Sequence, residues 1–134
     1  MRATICHRSI TNGLMPLMTD NTTFAEERWV RIMCDYCADG VWHKDGAGGC
    51  ADELPVSQEL IDRILRWQES YETNDYNSPE PKFDWEAFSA EGLSIAKAIK
   101  AALPEWTVIY FDAAASMRAG LNVPRHVYEY EVQP

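Results

Sequence analysis

The sequence predicts a small two-layer α+β domain, in which a mainly antiparallel sheet of about three strands packs against two long helices. The first observation behind this fold class is that two segments carry apolar residues at helical spacing. The second is one uninterrupted run of β-branched and aromatic residues, and the third is two segments in which apolar and polar residues alternate. Placing both helices on one face of the sheet is the simplest way to bury these apolar sides.

The chain is expected to divide into an arm and one domain. Residues 1–24 are predicted to be a flexible N-terminal arm, because they are rich in Thr, Asn and Met and show no sustained apolar period. Residues 25–134 are predicted to form a single α+β domain, which is a normal size for one hydrophobic core.

The domain is expected to open with a short helical turn and then a half-buried strand. In residues 29–36, alternate side chains from Val30 to Tyr36 share one face, which is typical of a strand with one buried side. A loop rich in Gly and Asp follows, and Val41 and Trp42 within it are compatible with a short returning strand.

Two long helices are predicted in the middle of the chain. Ser57 and Asp84 are placed to cap them, since a side-chain oxygen at this position accepts a hydrogen bond from a free N–H group of the first turn. Polar residues 74–81 with two prolines form the linker between the helices. Pro104 ends the second helix, because the residue before a proline is disfavoured in the α region.

The apolar run from Thr107 to Phe111 is predicted to be the central strand, covered on both faces, because it carries no charge. Asp112 is placed to cap a short helix that would stop at Gly120. Residues 126–132 alternate again and predict a last strand with an acidic, partly exposed side.

The net charge of −9 is unevenly distributed along the chain. Residues 45–91 hold 12 acidic and three basic residues, while the charges of the remainder cancel. This balance disfavours nucleic acid and favours a basic protein partner, although a solvated acidic face would look the same. No apolar stretch approaches the length that spans a bilayer, and no secretory signal is recognisable, so a cytoplasmic protein is expected. The oligomeric state is left open.

One cluster of cysteines and a histidine has spacing close to that of a zinc site. Cys34, Cys37, His43 and Cys50 supply four nitrogen and sulfur ligands, in a pattern longer than that of zinc knuckles. The alternatives are buried or free thiols, and less readily a thioredoxin-like pair, because Asp residues nearby would raise rather than lower the pKa of a reactive thiol. Disulfides are not expected in a reducing cytoplasm.

The leading functional hypothesis is a non-enzymatic acidic module that docks a basic protein, in the manner of an inhibitor or immunity protein. The absence of a strong catalytic motif and the acidic middle of the chain favour it. The alternatives are a zinc-stabilised binding module and a small hydrolase that uses His43 or His126. The expected partner-binding residues are one loop aromatic and acidic residues of the first long helix, the linker and the last strand: Trp42, Glu69, Glu72, Asp75, Glu129 and Glu131.

Three segments resemble a family of short bacterial proteins of unknown function: LPVSQELIDRILRWQESYE, AFSAEGLSIAKAIKAALPEWTVIYFD and PRHVYEYEV. The resemblance covers about residues 29–132. It implies a bacterial cytoplasmic protein and transfers no catalytic or binding residue, because its shared motifs are helix caps, apolar stripes and the core strand.

Overall fold

The fold is α+β, as predicted, and is described from a computed structural model for residues 23–36, 38–73, 83–119 and 122–134. The predicted linker 74–81, the predicted helix stop at Gly120 and nearly all of the predicted arm lie outside these ranges. The described α-helices are α1 (Phe24–Glu27), α2 (Gln58–Glu72), α3 (Trp85–Ala102) and α4 (Ala113–Arg118). The described strands are β1 (Trp29–Ile32), β2 (Val41–Trp42), β3 (Thr107–Phe111) and β4 (Glu129–Glu131).

The strands form one mixed sheet in the order β2-β1-β3-β4. The outer pairings, β2 with β1 and β3 with β4, are antiparallel, while the central pairing of β1 with β3 is parallel. The prediction of about three strands is therefore low by one, because the short returning segment Val41–Trp42 does pair with β1. The apolar strand β3 lies between β1 and β4, as expected for the central strand.

The helix starts lie where the capping pattern predicts. The Ser57 side chain accepts a hydrogen bond from the Leu60 N–H, and the Asp84 side chain accepts one from the Ala87 N–H. Asp112 caps α4 in the same way. These contacts satisfy N–H groups that have no partner within the helix. Among the described residues, no helix is both long enough and apolar enough to cross a membrane.

The core lies between one face of the sheet and the α2–α3 layer. Val30, Val108 and Tyr110 point to this face and are fully buried. The Tyr110 hydroxyl donates a 2.7 Å hydrogen bond to the Ser89 carbonyl of α3. Trp67 of α2 packs close to Gly92 of α3, where no side chain would fit between the indole ring and the Tyr110 hydroxyl. The absence of a side chain at Gly92 therefore allows α2, α3 and β3 to pack in direct contact.

The start of the domain differs from the prediction at two points. Phe24 is fully buried in the core, so the domain includes a residue assigned to the arm. Strand β1 ends at Ile32 rather than near Tyr36. The Met33 N–H still donates to the Gly40 carbonyl opposite it, which adds one bond to the pairing of β1 with β2 before the chain leaves the sheet. Tyr36 is consequently 50% exposed and packs on the ring of Tyr71 instead of lying in the sheet.

Candidate functional site

The second face of the sheet is only half covered, in contrast to the buried face that meets the helices. The pairing registers place alternate residues of the four strands on this second face. We call this surface the open face. It consists of Trp29, Arg31, Trp42, Thr107, Ile109, Phe111, Glu129 and Glu131.

The open face corrects the prediction that β3 is covered on both sides. Thr107, Ile109 and Phe111 are half-buried, whereas Val108 and Tyr110 between them are fully buried. An alternating pattern of this kind means that the helical layer covers one side and no equivalent layer of the described chain covers the other.

Arg31 stands at the centre of the open face and is held from two sides. Its guanidinium lies 5.3 Å from the centroid of the Trp29 ring, which is a cation–π contact. Its Nε donates a 3.1 Å hydrogen bond to Glu129 of β4, and the Glu129 side chain is only 11% exposed. Arg125 binds the other oxygen of the same carboxylate. The Arg31 side chain is therefore fixed in position before any partner arrives.

The β4 side of the open face ends in an aromatic pair. The ring of Phe111 meets the ring of Tyr128 edge-on, with 5.6 Å between the centroids. The Asp112 N–H donates to the Tyr128 carbonyl, which continues the ladder of β3 and β4 by one further bond. Half-buried Trp, Tyr and Arg side chains on a rigid sheet are the residue types that carry most of the binding energy in protein interfaces.

The predicted partner-binding residues do not form one patch. Trp42, Glu129 and Glu131 belong to the open face, although Trp42 is half-buried and its indole N–H donates to the Met33 carbonyl. Glu69 and Glu72 lie on α2, in the helical layer on the opposite side of the sheet. Asp75 lies outside the described residues.

Within the part of the chain that the structure describes, no group of three or more His, Cys, Asp or Glu side chains could hold a metal ion. The Cys34 side chain is half-buried against the core. Desolvation first, then the charges of Glu72 and Asp35, raise the pKa of its thiol well above the ordinary value. Cys50 is disulfide-bonded, contrary to the expectation of free thiols, and a sulfur in a disulfide is not a thiolate ligand. Cys37 lies outside the described residues. Zinc binding by this set stays a prediction that would first require reduction at Cys50.

The two histidines of the hydrolase alternative have different surroundings. His43 is buried, its ring stacks on Phe24 at 3.8 Å, and its Nδ1 lies 3.1 Å from a Glu27 carboxylate oxygen. This position ties the loop before Cys50 to α1. His126 is exposed in a short 3-10 turn that precedes β4.

The comparison with known families decides the class of the protein. A family model described as Serratia CdiI immunity protein-like matches residues 28–113. The chain belongs to this family. The matched segment includes β1, α2, α3 and β3, and so carries most of the open face and the helical layer behind it. No curated protein and no solved structure matches the chain.

The sequence reasoning missed the open face because it treated the apolar strand in isolation. An uncharged run is typical of a strand buried on both sides, but a strand shares each face with its neighbours. Arg31 and Glu131 lie beside Ile109, and charged neighbours on both sides could not be fully buried with it. The charged residues of the flanking strands, Arg31 and Glu131, were the sequence feature that could have predicted a partly exposed face.

Proposed function

We propose that this chain is an immunity-type protein that binds and neutralises a protein toxin, and that the toxin docks on the open face. Family membership supports the functional class. One observation supports the location: a central strand with one partly exposed side that lies next to a pre-positioned arginine. Binding in this mode requires no catalytic group, since inhibition follows from covering the toxin.

The acidic residues have a different role in this proposal. The excess of negative charge lies on the middle of the chain, which includes α2 on the far side of the sheet. We propose that this charge attracts a basic toxin at long range, while the open face makes the contact. Charges outside an interface change the rate of association more than the rate of dissociation.

The experiment uses the protein encoded by the gene adjacent to this one as the candidate toxin. Cells that express the candidate toxin alone should stop growing, and co-expression of this chain should restore their growth. The two proteins should also co-purify. The substitution Trp29→Ala removes an anchor of the open face and should weaken binding by about 2 kcal/mol, the size expected for an interface hot spot. Glu69→Ala on α2 is the matched control. It should slow association at low salt and leave the dissociation rate constant nearly unchanged, so that the dissociation constant rises only by the factor by which association slows.

Two results would count against this proposal. If the two proteins neither co-purify nor rescue growth, the immunity function is wrong for this pair. If Glu69→Ala abolishes binding while Trp29→Ala has no effect, the function stands but the toxin contacts the helical layer instead.

A cytoplasmic location is part of the proposal, and the disulfide at Cys50 makes it testable. Disulfides persist in oxidising compartments and are rare in the cytoplasm. Because Cys50 is buried, the protein is alkylated in denaturant directly on lysis, and thiol counting should then find Cys50 reduced and labelled. Recovery of an unlabelled, disulfide-bonded Cys50 would favour an oxidising compartment.

A further inference from the structure

A cavity lies between α3 and the C-terminal end of β4, and it shares Glu131 with the edge of the open face. Its volume is about 860 Å³, which is within the range of small-molecule sites. The walls are mostly apolar, with Leu93 and Pro104 on the α3 side and Tyr130 and Val132 on the strand side. Neither the family match nor the proposed toxin contact assigns a function to this cavity.

A buried ammonium group forms part of the wall. Lys100 is only 8% exposed, and its Nζ donates a 2.6 Å hydrogen bond to the Trp106 carbonyl. An ammonium group has three donors, and a buried charge is costly unless an opposite charge accompanies it. Within the described residues, no carboxylate forms an ion pair with Lys100. The local chemistry of the wall is therefore suited to an anion.

A second lysine lines the same cavity one turn earlier on α3. Lys97 is exposed, and its spacing of three residues from Lys100 places both on neighbouring positions of one helix face. Glu131 also lines the cavity and is exposed. One carboxylate opposite two ammonium groups leaves room for a single negative charge on a ligand and disfavours a multiply charged one.

We propose that this cavity binds a small organic molecule in which one carboxylate is attached to an apolar body. The carboxylate would accept hydrogen bonds from Lys100 and Lys97, and the apolar body would cover Leu93 and Val132. Charge-assisted hydrogen bonds are stronger than neutral ones, and burial of the apolar walls adds to the affinity. This inference is independent of the toxin-binding proposal.

The test uses decanoate as the probe and decanol as its uncharged counterpart, with the full chain and isothermal titration calorimetry. Decanoate should bind with one-to-one stoichiometry and about tenfold or more tightly than decanol, the difference expected for a hydrogen bond to a charged group. NMR shift changes should concentrate at Leu93, Tyr130 and Val132. Lys100→Met should remove the preference for decanoate and leave decanol binding unchanged.

Two further variants keep the result interpretable if Lys100→Met fails to fold. Lys97→Met changes an exposed side chain and should reduce decanoate affinity several-fold without loss of structure, as checked by circular dichroism. Leu93→Trp should fill the cavity and abolish binding of both probes. The proposal is overturned if decanoate fails to bind, binds no better than decanol, or binds Leu93→Trp as well as the unchanged chain.

Discussion

The contact between Trp67, Gly92 and Tyr110 makes the substitution Gly92→Ala a sharp test of how the helical layer meets the sheet. A Cβ atom at residue 92 would lie 2.4 Å from Cζ2 of Trp67 and 2.8 Å from the Tyr110 hydroxyl oxygen. Neither neighbour moves freely. The Trp67 indole N–H donates to the Phe88 carbonyl, and the Tyr110 hydroxyl donates to the Ser89 carbonyl.

Two opposing effects decide the sign of the change in stability. Alanine is favoured over glycine inside a helix by about 1 kcal/mol, which would stabilise the variant. Forcing a methyl group into a packed core costs about 1–3 kcal/mol, and displacing the Tyr110 hydroxyl would add the loss of a buried hydrogen bond of about 1 kcal/mol. We therefore expect Gly92→Ala to lower the free energy of unfolding by about 1–3 kcal/mol in urea denaturation.

Ala90→Gly provides the matched control for helix propensity. Ala90 lies on the exposed side of α3, two residues from Gly92, so its replacement reports propensity with little change in packing. It should cost about 1 kcal/mol. An unchanged or increased stability of Gly92→Ala, together with the expected cost at Ala90, would refute the close packing of α2, α3 and β3 described above.

Two more predictions concern buried titratable groups. Burial raises the pKa of Tyr110 above its ordinary value, so its contribution to stability is complete below about pH 10 and is lost as the pH rises further. Tyr110→Phe should therefore show a smaller fall in the free energy of unfolding above pH ~10, and an unchanged pH profile would contradict the burial. Burial and nearby carboxylates likewise raise the pKa of Cys34, so that little of the thiol is in the reactive thiolate form at neutral pH. Iodoacetamide should therefore label Cys34 slowly in the folded protein and rapidly in urea, as followed by peptide mapping. Equal labelling rates in both conditions would show that the thiol is accessible.

The elements set by local chemistry were predictable from the sequence. Ser57, Asp84 and Asp112 each cap the helix expected of them, because a cap depends on residues within one turn. The short strand Val41–Trp42 was suggested but not counted among the three expected strands, and the parallel pairing of β1 with β3 was not predicted. These features depend on residues far apart in the chain, and a strand of two residues leaves almost no periodicity to detect.

The candidate site was predictable only in part, for the same reason. Glu129 was expected as a contact residue because it is acidic, yet in the fold its carboxylate is largely buried and holds Arg31 in place. No role was predicted for Arg31, because a single arginine on the polar side of a strand does not by itself indicate a binding site. Its contact with Trp29 is local, since the two residues share one face of β1, but its bond to Glu129 requires the pairing of β1 with β3 and of β3 with β4.

The central claim is that the toxin docks on the open face, and indole NMR signals of the complex test it most directly. Trp29 and Trp42 lie on the open face, whereas Trp67 and Trp106 are buried on the helical side. Adding the toxin should shift the indole N–H signals of Trp29 and Trp42 and leave those of Trp67 and Trp106 in place. Unchanged Trp29 and Trp42 signals, with shifts along the backbone of α2, would contradict the account.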